Sequence, residues 1–171
     1  MSTFHAELQT LLPDLSRFAR ALTRNEDDAH DLVQDCVERA LGRWHLKRSD
    51  GNLKAWLFTI LSTEFINGRR RFARRGPAQS IDELPIEPGI AEDQEQNLYV
   101  RDVMDGIDRL PPDHRAVILL VGVEDMSYED AARTLGVPIG TVMSRLSRAR
   151  ERLRLLLDAE PQPPARLRSV K

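Results

Sequence analysis

Apolar residues recur at steps of three and four along most of this sequence, which is the period of an amphipathic α-helix. The most regular stripe predicts a helix from Glu26 to Trp44, with Asn25 as its cap. No segment alternates in the manner of a β-strand. Further helices are predicted over residues 1–12, 13–22, 53–74, 97–110 and 114–123. The stripes place apolar side chains of the predicted helices at inward positions, among them Leu15, Phe18, Leu41, Leu57, Phe72, Leu98, Ile139 and Val142. The pattern therefore predicts an all-α protein.

The segment from Ser127 to Leu157 predicts two helices joined by a tight turn. Ser127 and Asp130 form a capping-box pattern, and Gly136 suits the left-handed residue that ends the short first helix. The second predicted helix has a polar, basic outer face. A short helix, a tight turn and a second helix of this kind are typical of a helix-turn-helix that reads a major groove. The alternative is an amphipathic hairpin whose arginines are only solvated. The outward and flanking positions are Thr141, Met143, Ser144, Arg145, Ser147, Arg148 and Arg152.

Charge is segregated along the chain although the net charge is only −2. Residues 43–75 carry 9 basic and 2 acidic side chains, whereas residues 76–137 carry 4 basic and 14 acidic ones. Residues 138–171 are basic again, with 8 basic and 3 acidic side chains. Two basic blocks separated by an acidic one predict two separate contacts with a polyanion rather than one uniformly basic surface.

The first basic block includes the most basic run in the chain, NGRRRFARR, at the end of the helix predicted from Leu53 to about Arg74. A helix that starts amphipathic and ends densely cationic suits phosphate contacts, with Thr63 and Asn67 as possible base readers. The helix from Glu26 to Trp44 has the opposite character. Its outer face is acidic and amide-bearing, which predicts either simple solubility or a basic protein partner.

Composition shifts divide the chain into two small helical domains joined by a linker. Residues 76–96 contain three prolines and no basic residue, which is typical of a linker. The predicted organisation is a first domain over 1–75, a linker over 76–96, a second domain over 97–160 and a disordered tail over 161–171.

The sequence lacks the patterns that catalytic, metal-binding and membrane-spanning segments show. The single cysteine, Cys36, lies on an apolar stripe and is predicted to be buried and inert. The four histidines are dispersed, and no pair has metal-ligand spacing with a carboxylate. We therefore predict no enzyme, no cofactor and no metal site. The longest apolar run, Ala116 to Val123, is too short to span a bilayer, and no secretory signal is present, so a cytoplasmic location is expected.

Three segments, taken together, resemble a known family. They are DDAHDLVQDCVERAL, AWLFTI, and RLPPDHRAVILLVGVEDMSYEDAARTLGVPIGTVMSRLSRARERLR. In this order they resemble the extracytoplasmic-function (ECF) sigma factors of bacterial RNA polymerase, over residues ~10–157. The resemblance implies a sigma2-like helical bundle followed by a sigma4-like helix-turn-helix domain, with core RNA polymerase, promoter DNA and an anti-sigma factor as partners.

The resemblance also implies roles for particular residues. The polymerase clamp would contact Asp31, Leu32, Val33, Gln34 and Asp35. The −10 element would be melted and read by Thr63, Asn67, Arg70, Arg71 and Arg74. The −35 element would be read by the residues from Thr141 through Arg148, with Arg152 beside them. This chain has Thr63 where many members have asparagine, and Met143 where arginine is frequent.

Two functions other than an enzyme remain open at this stage. The first is a sigma factor, which directs promoter-specific initiation without catalysis of its own. The second is a stand-alone helix-turn-helix regulator or sigma-like adaptor that acts through a regulatory protein. The intact clamp-facing helix and the basic run at residues 69–75 favour the first. The linker, extended, would reach ~70 Å, but as a flexible coil only ~25 Å. We therefore expect the free protein to be compact or variable.

Overall fold

The computed structural model describes residues 2–44, 52–75 and 94–159 of the chain. Within these ranges the protein forms seven α-helices and no strand, which confirms the predicted class. The predicted loop at 45–51, most of the predicted linker (76–93) and the tail from residue 160 lie outside the described residues. The helices are α1 (Ser2–Thr23), α2 (Glu26–Arg43), α3 (Leu53–Arg75), α4 (Gln94–Asp108), α5 (Pro112–Gly122), α6 (Tyr128–Leu135) and α7 (Ile139–Ala159).

Helix α1 continues through Pro13, so the predicted break between two short helices is wrong. Proline removes one backbone donor and crowds the carbonyl four residues earlier. Here Pro13 is exposed, so water can bond the carbonyl that loses its partner. The apolar face carries on without interruption, because Leu8 and Leu15 on either side of the proline are both buried. Burial of this face outweighs the local cost of the proline.

Helices α1, α2 and α3 pack around one apolar centre. The rings of Phe18 on α1 and Phe58 on α3 are fully buried, and their centroids lie 4.9 Å apart. An ion pair of 2.9 Å between Arg39 and Glu64 joins α2 to α3 at the edge of this centre. Cys36 faces Leu57, whose carbonyl lies 3.4 Å from the thiol sulfur. These three helices form the first half of the molecule.

The second half is built from α4 to α7. Helix α4 approaches α7 so closely at Gly106 that a Cβ atom there would lie 2.5 Å from Leu153 Cδ1. Helices α5 and α6 also pack against α7, on which Val142 and Leu146 are buried. Helix α4 starts at Gln94, three residues before the predicted start, so residues 94–96 of the predicted linker are helical.

Four apolar side chains that were predicted to face inward are exposed instead. Each of them lies within the five residues at one end of its helix. The helical period identifies a face, but it does not tell how far along the helix a neighbour covers that face. The four are Leu41, Phe72, Leu98 and Ile139.

The two halves are in contact in this structure. Helix α3 packs against α5 and α6, and α1 packs against α5, so the buried side chains form one continuous cluster. Arg115 on α5 is buried and donates to the carbonyl of Leu22 at the end of α1, 2.7 Å away. Its guanidinium also lies 5.7 Å from the ring of Phe65 on α3. The two halves therefore pack together in this structure, while the predicted behaviour of the free protein in solution and the predicted domain boundaries stay predictions.

Candidate polymerase-binding and DNA-binding surfaces

Helix α2 presents its acidic side to solvent. Asn25 caps the helix, with its side-chain oxygen accepting from the backbone N–H of Asp28 at 2.9 Å. Ala29, Cys36 and Ala40 are buried against the other helices, which turns the opposite side outward. We call this outer side the α2 acidic face; it comprises Asp27, Asp28, Asp31, Gln34, Asp35 and Glu38, all of them exposed.

The five residues predicted to bind polymerase divide into two kinds in the structure. Asp31, Gln34 and Asp35 are exposed on the α2 acidic face, and Gln34 donates to Glu38 at 3.1 Å. Leu32 is buried, so it holds the helix on the core rather than offering a contact surface. Val33 is half-buried and lines a shallow groove of about 330 Å³ between α1 and α2. Their role in polymerase binding stays a prediction.

The basic end of α3 is accessible along its outer side. Asn52 starts the helix by accepting from the backbone N–H of Lys54 at 2.9 Å. The inner side is held by Leu57, Leu61 and Phe65, all buried. The five residues predicted to read the −10 element are exposed in the structure; they are Thr63, Asn67, Arg70, Arg71 and Arg74.

Helices α6 and α7 form the predicted helix-turn-helix. The Ser127 hydroxyl accepts from the backbone N–H of Asp130 at 3.0 Å and donates to the Asp130 carboxylate at 2.8 Å. These contacts with Ser127, together with Arg133, lower the pKa of the Asp130 carboxyl below its usual value. Gly136 ends α6 in the left-handed conformation, with φ at 63°. Each of these local signals is confirmed, because each depends only on residues adjacent in sequence.

The predicted recognition side of α7 is largely open to solvent. Val142, Leu146 and Ala149 are buried and orient the helix. Thr141 and Arg145 are half-buried, and the Thr141 carbonyl accepts from the Ser144 hydroxyl at 3.1 Å. The exposed members of the predicted set are Met143, Ser144, Ser147, Arg148 and Arg152.

Replacing Gly136 with alanine is expected to lower the free energy of unfolding by ~1–2 kcal/mol, because a Cβ atom is unfavourable at positive φ. Chemical denaturation of the purified protein measures the loss. Gly42→Ala is the matched control, because Gly42 lies within α2 with open space around its Cα. The control should be neutral or stabilising by up to ~1 kcal/mol. Equal losses in both variants would contradict this account of the turn.

Reasoning from the sequence missed a set of charged residues that join the two halves. Arg17 on α1 pairs with Glu124 at 3.1 Å, and Lys54 on α3 lies 3.7 Å from the same carboxylate. The Glu124 side chain is only 1% exposed. Arg24 pairs with Asp105 at 2.5 Å. Both acidic partners, Glu124 and Asp105, lie in the acidic block of residues 76–137, so the segregation of charge indicated that this block could pair with cations elsewhere. No local pattern identifies which cations these are.

Asp113 is a further charged residue whose contacts reasoning from the sequence missed. Its carboxylate accepts from Arg70 Nη2 at 2.9 Å and lies 3.5 Å from Arg145 Nη1. Arg70 belongs to the basic end of α3, and Arg145 belongs to the recognition side of α7. The structure therefore brings the two predicted DNA-reading helices together through one carboxylate.

Among the described residues, no cluster of three histidine, cysteine or acidic side chains has the arrangement of a metal site. Cys36 is fully buried, and burial raises the pKa of its thiol to about 12. Such a thiol stays protonated and unreactive at neutral pH. In the part of the chain that the structure describes, no helix has the length and apolarity needed to cross a membrane.

Comparison with protein families matches both halves of the chain to sigma-factor domains. Residues 8–62 match the model "Sigma2 domain of PhyR", and residues 101–153 match "Sigma-70, region 4". The ECF RNA polymerase sigma factor EcfG of Rhodopseudomonas palustris (strain TIE-1) is 38% identical over 154 residues, which cover 88% of this chain and 83% of the relative. The RNA polymerase sigma-E factor of Streptomyces coelicolor is 32% identical over 152 residues, covering 88% and 84%.

Solved structures give the same result. The sigma factor RpoE from Bartonella quintana, in complex with the anti-sigma factor NepR, matches with a TM-score of 0.77 and 37% identity, over 94% of this chain and 99% of that one. CnrH in complex with the cytosolic domain of CnrY matches with a TM-score of 0.66 and 27% identity, over 92% and 88%. The fold and the family matches of both halves are therefore those of a sigma-type transcription protein. The chain belongs to the ECF sigma factors of bacterial RNA polymerase, and it is an alternative sigma factor that directs transcription initiation.

Proposed function

We propose that this protein binds core RNA polymerase through the α2 acidic face and reads a bipartite promoter with α3 and α7. The observation that carries the proposal is the arrangement of charge on the described helices. One exposed acidic face lies on α2, and two exposed basic faces lie on separate helices. A bipartite DNA site needs two such basic faces, and a basic docking site on another protein needs the acidic one.

The polymerase contact rests on Asp31, Gln34 and Asp35. These three side chains lie close to one another on one side of α2 at helical spacing, and all are exposed. Charge complementarity steers association and suppresses wrong partners, so an acidic patch of this kind suits a basic surface of the enzyme. Leu32 contributes indirectly, because its burial fixes the rotation of α2 on the core.

The −10 contact rests on the basic end of α3. Arg70, Arg71 and Arg74 supply cations for phosphate groups, which give affinity without sequence preference. Thr63 and Asn67 lie one turn apart on the exposed side and supply the groups that distinguish bases. A threonine hydroxyl donates and accepts through a single oxygen, whereas an amide presents its donor and its acceptor on separate atoms fixed in one plane. We therefore expect weaker base discrimination at Thr63 than an asparagine would give.

The −35 contact rests on the outer side of α7. Ser144 and Arg148 lie one turn apart at the centre of the exposed side, where base edges of a major groove would be reached first. Arg152 lies one turn farther along the helix, at a position suited to the sugar-phosphate backbone. The half-buried Arg145 reaches DNA only after its contact with Asp113 is broken.

Two arginine substitutions on α7 are expected to have different effects. Arg148→Ala should relax the base preference at one position of the −35 element and cost ~1–3 kcal/mol on the preferred sequence. Arg152→Ala should weaken binding of all sequences alike. The slope of log affinity against log salt should become shallower by about one, as expected for the loss of one phosphate contact. Binding of the holoenzyme to a library of −35 variants measures both. Uniform losses on every sequence for both variants would contradict the division of roles.

Regulation by an anti-sigma factor is the third part of the proposal. Its support is that one matched structure is the sigma factor RpoE in complex with the anti-sigma factor NepR, and that a second is CnrH in complex with the cytosolic domain of CnrY. We place the contact of such a partner on the α2 acidic face, where it would compete with polymerase. The protein has no catalytic activity of its own in this proposal, and it acts in the cytoplasm, where polymerase and promoter DNA are found.

One observation favours the sigma-like adaptor as a second candidate, because the family model that matches the first half is that of the PhyR sigma2 domain. The decisive experiment is transcription from a promoter library by core polymerase with and without this protein. Specific initiation at a subset of promoters supports the sigma factor. Failure to form a holoenzyme, combined with binding to an anti-sigma protein, would support the adaptor.

A further inference from the structure

Asp113, at the start of α5, lies between the two helices proposed to read DNA. Arg70 donates from Nη2 to both carboxylate oxygens, at 3.2 Å and 2.9 Å, and Arg145 Nη1 lies 3.5 Å from Oδ1. The aspartate side chain is half-buried between them. One negative charge thus faces one arginine from each proposed DNA surface.

A carboxylate offers arginine the same kind of acceptor as a DNA phosphate. Both present two oxygens that bind the planar guanidinium fork with charge-assisted hydrogen bonds. While Arg70 and Arg145 are bound to Asp113, neither has its charge fully available for a phosphate. The contact therefore competes directly with DNA at one position on each helix.

The contact also fixes a distance that is incompatible with a bipartite promoter. Elements two helical turns apart are separated by ~70 Å, at ~34 Å per turn. Two guanidinium groups that share one carboxylate lie side by side. Helices α3 and α7 must therefore separate before each can occupy its own element, and separation breaks the contact of Asp113 with at least one arginine.

The ion pairs of Glu124 and Asp105, which also join the halves, lack this property. Arg17 and Lys54 pair with Glu124, and Arg24 pairs with Asp105. None of these cations belongs to the residues proposed to contact DNA. They hold the halves together, but they do not occupy a DNA-binding group.

We propose that Asp113 is an autoinhibitory latch, whose carboxylate takes the place of a DNA phosphate and keeps Arg70 and Arg145 occupied in the closed protein. The inference rests on the proposed DNA-binding role of these two arginines. Free protein then binds promoter DNA weakly. Docking on polymerase, which requires the open arrangement, releases Arg70 from Asp113 and leaves a DNA phosphate to compete only for Arg145. The latch prevents the free sigma factor from occupying DNA without the enzyme.

The test compares Asp113→Asn with Asp105→Asn in the full-length protein without polymerase. Both variants remove one negative charge and one acceptor between the halves, but only the first releases Arg70 and Arg145. Asp113→Asn should bind promoter duplex roughly fivefold to tenfold more tightly at low salt. The slope of log affinity against log salt should steepen by ~0.9 for each arginine released. Asp105→Asn should match wild type in both measurements.

Asp113→Ser is a second variant, because serine suits the first turn of α5 and cannot accept in the same bidentate way. Circular dichroism verifies that the helices are retained. Adding Arg145→Ala to Asp113→Asn should remove about half of the gain, and adding Arg70→Ala as well should remove nearly all of it. Equal effects of Asp113→Asn and Asp105→Asn, no effect of either, or a gain that persists without the arginines would each overturn the latch.

Transcription by the holoenzyme separates this inference from the function on which it rests. Arg70→Ala and Arg145→Ala should each reduce initiation from the cognate promoter, whether or not Asp113 is present. If they do so while Asp113→Asn leaves free DNA binding unchanged, the latch fails and the proposed DNA contacts stand. If neither arginine affects initiation, the proposed DNA role of these residues fails, and the latch fails with it.

Discussion

Replacing Phe18 with alanine is expected to lower the free energy of unfolding by ~3–5 kcal/mol. Phe18 is fully buried, and its ring packs against Phe58 with centroids 4.9 Å apart. Truncation loses the transfer free energy of the ring and leaves a cavity that the surrounding helices can fill only in part. For a chain of this length the midpoint of thermal unfolding should fall by roughly 2–4 °C for each kcal/mol lost.

Phe72→Ala is the matched control, because the same side chain is removed from an exposed position. Phe72 is 59% exposed near the end of α3, so its truncation should change stability by less than ~0.5 kcal/mol. The helical period alone places both phenylalanines inward and would predict similar losses of stability. The structure, in which only Phe18 is buried, predicts different losses. Comparable losses for Phe18→Ala and Phe72→Ala would mean that α3 is packed along its whole length, contrary to the structure.

The double substitution Asp31→Lys with Asp35→Lys should weaken association with core polymerase by a hundredfold or more. Two carboxylates on the α2 acidic face become two cations, and like charges facing a basic docking surface cost several kcal/mol. Both side chains are exposed, and neither is part of the core. The helical content should therefore be unchanged. Titration of labelled protein against core polymerase measures the affinity.

The control for this prediction is Glu7→Lys with Asp102→Lys. Both residues are exposed, and the substitutions change the net charge by the same amount at positions outside the α2 acidic face. This variant should retain an affinity within a fewfold of wild type at physiological salt, where the Debye length is ~8 Å. If the variant with Asp31→Lys and Asp35→Lys bound core polymerase with wild-type affinity, the α2 acidic face would not be the polymerase-binding surface. Equal loss in both variants would indicate a general charge effect.

Local features could be predicted because their causes are contained in short segments. The cap at Ser127 and the left-handed turn at Gly136 depend on hydrogen bonds and sterics among neighbouring residues. The period of three and four residues placed Leu15, Phe18, Leu57 and Val142 in the core, and all of them are buried. These predictions needed no knowledge of which helix packs against which.

Positions near the ends of helices and around proline were predicted less well. Leu41 and Phe72 lie on the correct face, but they are exposed, since exposure depends on the length of the neighbouring helix. Pro13 was expected to end a helix, yet α1 continues because burial on both sides of the proline compensates for one missing hydrogen bond. In each case the outcome depended on whether another part of the chain packs against that position.

By itself the sequence determined the helical class, the caps, the two basic blocks, the acidic face of α2 and the resemblance to sigma factors. Only the tertiary structure decided how the two halves meet. The contact between Arg70 and Asp113 joins residues 43 positions apart, and Arg115 reaches the carbonyl of Leu22 across 93 positions. No local period or motif specifies such pairs. They follow from the packing of α3 and α1 on α5 and α6, which brings distant charges within hydrogen-bonding range of one another.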